Sequence, residues 1–298
     1  MKCKFENCNN VNVKDYNFCI LHLDLPHKNS NEFQEINELK NKEIIRKKEK
    51  NDFNFRGAKL SNVDFSNLHS ESDLIFTGAY IENNVLIKDA SIKGDIWFDK
   101  AVIGRDISLE GTRIDGNASL YGTRIKEHLL VDKAKINRYA WFEKAKIGGE
   151  SSFNEVVIGS SLSFKEACIE GNTSFYDAEI AGDAWFDNAE IKGDVWFDYI
   201  EIKGGLSFKN TAFRRIKSQE KACRKAKTVW EKLGDREKSD YHFYREMESK
   251  RRQKPNYFKY PELIVQYPFG YGVYPERLLL SFTIALLTFA FLYWILGG

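Results

Sequence analysis

Ala178-Glu-Ile-Ala-Gly-Asp-Ala-Trp-Phe-Asp-Asn-Ala189-Glu-Ile-Lys-Gly-Asp-Val-Trp-Phe197 writes one phrase twice, eleven residues apart. Moving outward from Ile180 in steps of eleven meets isoleucine at every position from Ile81 to Ile202, with Phe213 next. Twelve isoleucines at one spacing are a repeat, not a composition. A second column runs Phe76, Ile87, Phe98, Leu109, Leu120, Val131, Phe142, Phe153, Phe164, Phe175, Phe186, Phe197 and Phe208, all apolar. A third, from Ala79 to Thr211, is small and mostly Ala, broken by Thr112, Thr123, Val156, Ile200 and Thr211. The unit therefore reads apolar-x-Phe-x-x-Ala-x-Ile-x-Gly-x. Its two halves each show the period of two expected of a short strand with one buried face. Glycine at 94, 116, 149, 171, 182, 193 and 204 follows the isoleucine by two, where a corner needing positive φ is expected. The chain has no proline between Pro26 and Pro255, as suits strands whose N–H groups all pair.

The earlier stretch Phe55-Arg-Gly-Ala58-Lys-Leu60-Ser-Asn-Val63-Asp-Phe65-Ser-Asn-Leu68 keeps this chemistry at a five-residue step. It resembles the pentapeptide-repeat family, whose units read roughly Ala-(Asp/Asn)-Leu-x-x. The resemblance implies a right-handed, four-sided parallel β-helix with Phe or Leu pointing inward from each side and a small residue near each corner. Residues 76–213 depart from it, because Phe76 to Ile81 is five steps and Ile81 to Ile87 is six. One 11-residue unit then makes two sides, and a coil is two units, or 22 residues. The thirteen units give about six coils, a rod ~30 Å long at ~4.8 Å per coil. A triangular or two-sided coil of eleven residues is the alternative, too narrow to enclose stacked Phe and Ile columns with ease. The expected fold class is mainly β: a parallel β-helix over 55–213, with helical caps and one C-terminal transmembrane helix.

Stability in such a rod is a sum of nearest-neighbour stacking terms, and open ends expose strand edges unless capped. Residues 29–54 supply an N-terminal capping helix. Asn29 and Glu32 stand at capping-box spacing, and Phe33, Ile36, Leu39 and Ile44 recur at helical spacing. A 22-residue coil also stacks outward positions 97, 119, 141, 163, 185 and 207, which read Trp, Ser, Trp, Ser, Trp, Ser. Trp97, Trp141 and Trp185 would then line one exposed face, either covering their own corners or forming a docking strip for a protein partner.

Within residues 1–28, Cys3-x4-Cys8-x10-Cys19-x2-His22 presents four donors in two pairs, the set a structural tetrahedral Zn2+ takes. So short a stretch cannot bury a core of its own, so the metal would supply its folding free energy. His27 is a weaker fourth-ligand candidate. The block has almost no net charge, which argues against nucleic acid as its partner. No apolar run opens the chain at Met1-Lys-Cys-Lys-Phe, so a reduced cytosolic setting is expected, and Cys168 and Cys223 are read as structural.

Charge divides the chain: residues 55–213 carry 18 basic and 25 acidic side chains, a net −7, while 214–298 carry 17 and 9, a net +8. Residues 214–253 change period and read as two helices broken at Gly234-Asp235, a capping neck whose turn is similar to that of a tetratricopeptide-type hairpin. A juxtamembrane segment, 254–276, follows. Lys250, Arg251, Arg252 and Lys254 lie close enough to a bilayer to attract anionic headgroups at ~1 kcal/mol per charge. Leu278–Leu296 is uncharged and, at ~1.5 Å per residue, just spans a ~30 Å hydrocarbon core, giving a transmembrane helix over 277–297. Nearby Lys and Arg all precede it, placing the N-terminal bulk in the cytoplasm by the positive-inside rule.

Gly270-Tyr271-Gly272 is similar to a potassium-channel filter but precedes its apolar helix and lacks the Thr-Val that should come first. The order of repeats, basic neck, Tyr271-Gly-Val-Tyr-Pro275-Glu-Arg277 and apolar helix resembles prokaryotic proteins joining pentapeptide repeats to a two-span ion-channel module. That implies a channel subunit without filter or second span. No catalytic constellation stands out, since His69 and His128 are isolated. The expectation is a single-pass, membrane-anchored, non-enzymatic scaffold holding a protein partner, with a regulatory or truncated channel subunit, or a homo-oligomer, as alternatives. Pentapeptide-repeat proteins that inhibit DNA gyrase by mimicking DNA offer a third reading, opposed by the mild acidity and the anchor.

Overall fold

The computed structural model describes residues 2–296 apart from 7, 9, 11, 15 and 29. It forms two compact units, residues 1–214 and 215–298. In the first, two-residue strands stack into four parallel sheets, one per side of a solenoid of about seven coils. The first face runs from Lys59–Leu60 to Ala212–Phe213, the second from Val63–Asp64 to Val195–Trp196, the third from His69–Ser70 to Glu201–Ile202, and the fourth from Leu74–Ile75 to Leu206–Ser207.

Register fixes the coil length. Ile103 lies opposite Ile81 and Ile125, and Ile114 opposite Ile92 and Ile136, so the isoleucine column divides between the first and third faces and each coil takes 22 residues. An 11-residue coil would have put Ile92 beside Ile81. The first coil is one residue shorter, with Leu60 opposite Ile81, because Phe55, Leu60, Phe65 and Ser70 keep the five-residue step.

The interior holds the expected columns. Phe76, Phe98, Leu120, Phe142, Phe164, Phe186 and Phe208 are all but sealed from solvent behind the fourth face. Their rings stack coil on coil, at 4.9 Å between centroids for Phe76–Phe98 and 4.7 Å for Phe142–Phe164. Threonine in the small column donates to the coil below, Thr123 Oγ1 to the Phe98 carbonyl and Thr211 Oγ1 to that of Phe186, both at 2.7 Å. Asn and Asp side chains run ladders up the corners: Asp95 Oδ1 accepts from the Asn117 N–H and Asn117 Oδ1 from the Tyr139 N–H, each one coil on.

The glycines differ from expectation. Positive φ falls two residues after the Phe column, at Gly78, Asp89, Lys100, Gly111, Gly122, Lys133 and onward. The glycine that follows isoleucine is needed for close approach instead: a Cβ on Gly193 would lie 2.1 Å from the Gly171 carbonyl oxygen in the coil below.

At the N-terminal end, α1 (Asn31–Glu49) is capped by Ser30, whose Oγ accepts from the Phe33 N–H at 3.1 Å; Asn29 lies outside the described residues. Its buried positions are Ile36, Lys40 and Lys47, while Leu39 is exposed. The amphipathic reading missed the lysines because each buries its stem and spends its ammonium locally. Lys47 pairs with Asp52 at 2.5 Å and stands 5.5 Å above the Phe55 ring, at the solenoid's first coil.

The second unit is helical. Helices α2 (Ile216–Leu233) and α3 (Arg236–Gln253) form a hairpin around Gly234, which takes φ +75° at the helix end. Glu246, buried on α3, is held by Arg224 at 2.9 Å, Lys227 at 3.6 Å and Lys250 at 2.6 Å. Burial would raise its carboxyl, but Lys250 and Arg224 hold it below the usual range. Burial drives His242 the other way, down to about 3. Two short helices, α4 (Asn256–Lys259) and α5 (Leu263–Phe269), lead to α6 (Pro275–Ile295). Among the described residues α6 alone is long and apolar enough to cross a membrane, and its window is wholly unburied.

Candidate functional sites: a thiol–imidazole cluster and a tryptophan strip

The N-terminal segment folds back on the first coil. The Lys59 N–H donates to the Leu21 carbonyl at 2.7 Å, and Phe5 occupies the space a Cβ on Gly57 would need. Lys40 of α1 clamps the same loop, donating to the carbonyls of Ile20 at 2.6 Å and Leu23 at 2.7 Å. Spacing statistics gave no signal for that clamp, since a lysine in a polar helix looks like a solvated one.

These contacts bring Cys3, Cys8, Cys19 and His22 together, each donor atom within 4.8 Å of the others. A tetrahedral site with S–metal bonds of ~2.3 Å and N–metal bonds of ~2.05 Å needs S···S near ~3.8 Å and S···N near ~3.6 Å. The Cys8 and Cys19 sulfurs are 3.8 Å apart, and His22 Nδ1 lies 3.5 Å from Cys3 Sγ and 3.2 Å from Cys19 Sγ. His22 Nε2 is 2.8 Å from the Arg56 carbonyl, which can only accept, so Nε2 carries the proton and Nδ1 keeps its lone pair for a metal. Phe5 stacks on the imidazole at 3.9 Å. Burial pushes the Cys8 thiol up to about 12. The group could hold a metal ion, with His22 and not His27 as its fourth member.

On the fourth face, Ser119 lies opposite both Trp97 and Trp141, and Trp185 opposite Ser163 and Ser207, so the three indoles share one column. They are half-buried rather than fully exposed. Coils two apart are separated by ~9.6 Å, yet the Trp97 and Trp141 rings approach to 6.5 Å. The indoles lean toward one another over the small, buried Ser119 between them. Tyr139 stacks on Trp141 at 5.3 Å, and the Lys165 ammonium stands 4.8 Å from the Trp185 ring. Each serine is held in turn: Ser163 Oγ donates to Glu143 at 2.7 Å and Ser207 Oγ to Asp187 at 2.5 Å, with Ser119 bonded to Asp99 in the same way. A Trp-Phe-acid segment in one coil thus answers a serine in the next.

Of Lys250, Arg251, Arg252 and Lys254, Lys250 pairs with Glu246, Lys254 with Glu262, and Arg251 is buried, leaving Arg252 as the exposed one of the four without an ion pair among the described residues. Burial pushes the Cys223 thiol up to about 12, and also raises that of Cys168, on the first face.

Comparison with known families finds pentapeptide repeats (9 copies) over residues 164–212. No curated protein and no solved structure matches the chain. The matched coils lie within the run Phe142 to Phe208, where the column is Phe at every step, and this β-solenoid is a scaffold kind of fold.

Proposed function

We propose that the protein is a membrane-tethered, non-enzymatic scaffold that holds a protein partner on the tryptophan face of its solenoid. The observation that carries this reading is the Trp97–Trp141–Tyr139 cluster, where three aromatic rings pack together over Ser119, itself bonded to Asp99, on a regular sheet. Half-buried aromatics that already pack on one another lose little entropy on docking, which is the character of interface anchors. The thiol–imidazole group takes a structural Zn2+, closing the N-terminal end of the rod, since its donors already stand at the separations zinc requires. Helix α6 anchors the chain in the bilayer, with the basic residues before it on the cytoplasmic side and the exposed Arg252 placed to meet headgroups.

Extraction of the full chain from membranes in mild detergent, followed by cross-linking mass spectrometry, tests the reading. Cross-links from the fourth face to a soluble protein, lost on W97S/W141S/W185S without loss of stability, support it. Cross-links confined to α6 and another membrane helix would favour instead a regulatory channel subunit, the reading suggested by the wholly unburied apolar window of α6.

A further inference from the structure

The first face carries a charge pattern that the tryptophan strip does not explain. A shallow groove of about 920 Å³ runs along it, floored by the bare backbone of Gly104 and Gly148. Both glycines are enforced, because a Cβ would lie 1.9 Å from the Glu82 carbonyl oxygen in one case and 2.1 Å from that of Lys126 in the other. Three exposed cations project there: Arg124, Lys126 and Lys146. Arg124 and Lys146 are register partners on adjacent strands, and like charges directly opposite destabilise a sheet.

The acids beside the groove do not relieve this pair. Glu82 is taken by Lys28 at 3.2 Å, Glu170 by Lys192 at 2.7 Å, and Glu190 by Lys192 at 3.7 Å. On the third face, by contrast, Arg113 stands opposite Lys135 but has Asp115 at 3.0 Å. Glu82, Glu170 and Glu190 thus share two cations, Lys28 and Lys192, while Arg124, Lys126 and Lys146 have no acid in ion-pair reach among the described residues and face solvent.

We infer that the groove binds an acidic, extended peptide segment of a partner protein through Arg124, Lys126 and Lys146. Arg124 and Lys126 are two residues apart along the chain, a separation of ~6.6 Å in extended backbone, which is also the separation of alternate side chains in a docked Glu-x-Glu strand. Lys146, one coil on, closes the pocket of positive charge. The occupant is a short segment rather than a nucleic acid because the solenoid around the groove is net acidic, from 18 basic and 25 acidic residues, and would repel a long polyanion beyond the patch. A flat anionic bilayer would meet the rim carboxylates of Glu170 and Glu190 along with the cations.

The inference stands apart from the tryptophan strip, and its test reads a different face. The full chain in detergent micelles is titrated into a fluorescein-labelled (Glu-Gly)4 peptide, followed by anisotropy at 50 and 300 mM salt. Single-stranded oligo-dT and phosphatidylserine vesicles serve as competing probes. Binding to the peptide that weakens at least tenfold in R124A/K126A/K146A and at the higher salt, but not in K88A or in W97S/W141S/W185S, is the expected result. Circular dichroism on the triple variant checks that the coil is intact, and restoration of binding by R124K/K126R/K146R shows that charge rather than fold is read. No rise in anisotropy at the highest wild-type chain concentration, equal binding by the triple variant, or a stronger response to oligo-dT or vesicles than to the peptide overturns the inference.

Discussion

Phe164→Ala removes a side chain that is fully buried and touches aromatic rings on four sides. It stacks between Phe142 at 4.7 Å and Phe186 at 5.3 Å, and meets Phe153 at 5.4 Å and Phe175 at 6.1 Å edge-on. Truncating a buried Phe costs about 3–5 kcal/mol in transfer and cavity terms, and each ring pair adds about 0.5–1.5 kcal/mol to what area alone gives. The coil cannot relax into the cavity, because hydrogen bonds above and below hold it at the sheet spacing: the Phe164 N–H donates to the Trp185 carbonyl and the Phe142 N–H to that of Ser163, each at 2.7 Å. The loss should therefore lie near the top of the range, about 4–5 kcal/mol. Phe164→Leu should cost only about 1–1.5 kcal/mol, because Leu120 fills the same column natively and is equally buried. The assay is urea denaturation of the metal-loaded chain, with hydrogen exchange to locate the opening, since a repeat array need not unfold as one unit. Exchange should accelerate in the coils on either side of position 164 and leave those near Phe76 almost unchanged. A loss below 2 kcal/mol for the alanine variant, or uniform acceleration along the rod, would refute the stacked-column account.

Three further outcomes follow from single sites. Purified chain should carry about one zinc, and Cys19→Ser should abolish it while loosening exchange protection at Leu60 and Phe65; a zinc ratio near zero in the wild type ends the metal reading. Thr173 Oγ1 and Ser151 Oγ point into the second face's interior without a partner among the described residues, so Thr173→Val should stabilise by about 1–2 kcal/mol, read as a raised melting temperature. Burial lowers His242 to about 3 from its ordinary 6.5, so its contribution is intact above pH 6.5 and is lost as pH falls toward 3. Between pH 6.5 and 5 that is about 1.6 kcal/mol, or a ~16-fold fall in amide protection of the α2–α3 hairpin. His242→Gln should flatten the dependence, and an unchanged slope would clear His242 of it.

Columns made the coil legible in sequence. A five-plus-six step repeated over residues 76–213 leaves little choice of inward positions, and Ile, Phe and Ala all point where that step puts them. The thiol–imidazole cluster was legible for a related reason, because ligand spacing is local, and the structure brings together the same four residues, His22 rather than His27 among them. What escaped was set by contacts across coils. Gly171 and Gly193 look like turn residues until their neighbours one coil away are known, and then they are close-approach residues. Trp97 and Trp141 look exposed until Ser119 is seen to let them lean together. Lys40 reads as surface until the carbonyls of Ile20 and Leu23 are placed around its ammonium. Long-range partners of this kind leave no periodic mark on the chain.

The central claim is that the fourth face, on a membrane-held rod, is the docking surface, and a photo-crosslinker tests it most directly. Benzoylphenylalanine replaces Tyr139, beside Trp141, or in a second variant Lys135 on the third face, and cells are irradiated before membrane fractionation. The account predicts a discrete protein adduct in the membrane fraction from position 139, absent from position 135 and absent when W97S/W141S/W185S accompanies the crosslinker. Adducts of equal yield from both positions, or recovery of the whole chain in the soluble fraction, would contradict it.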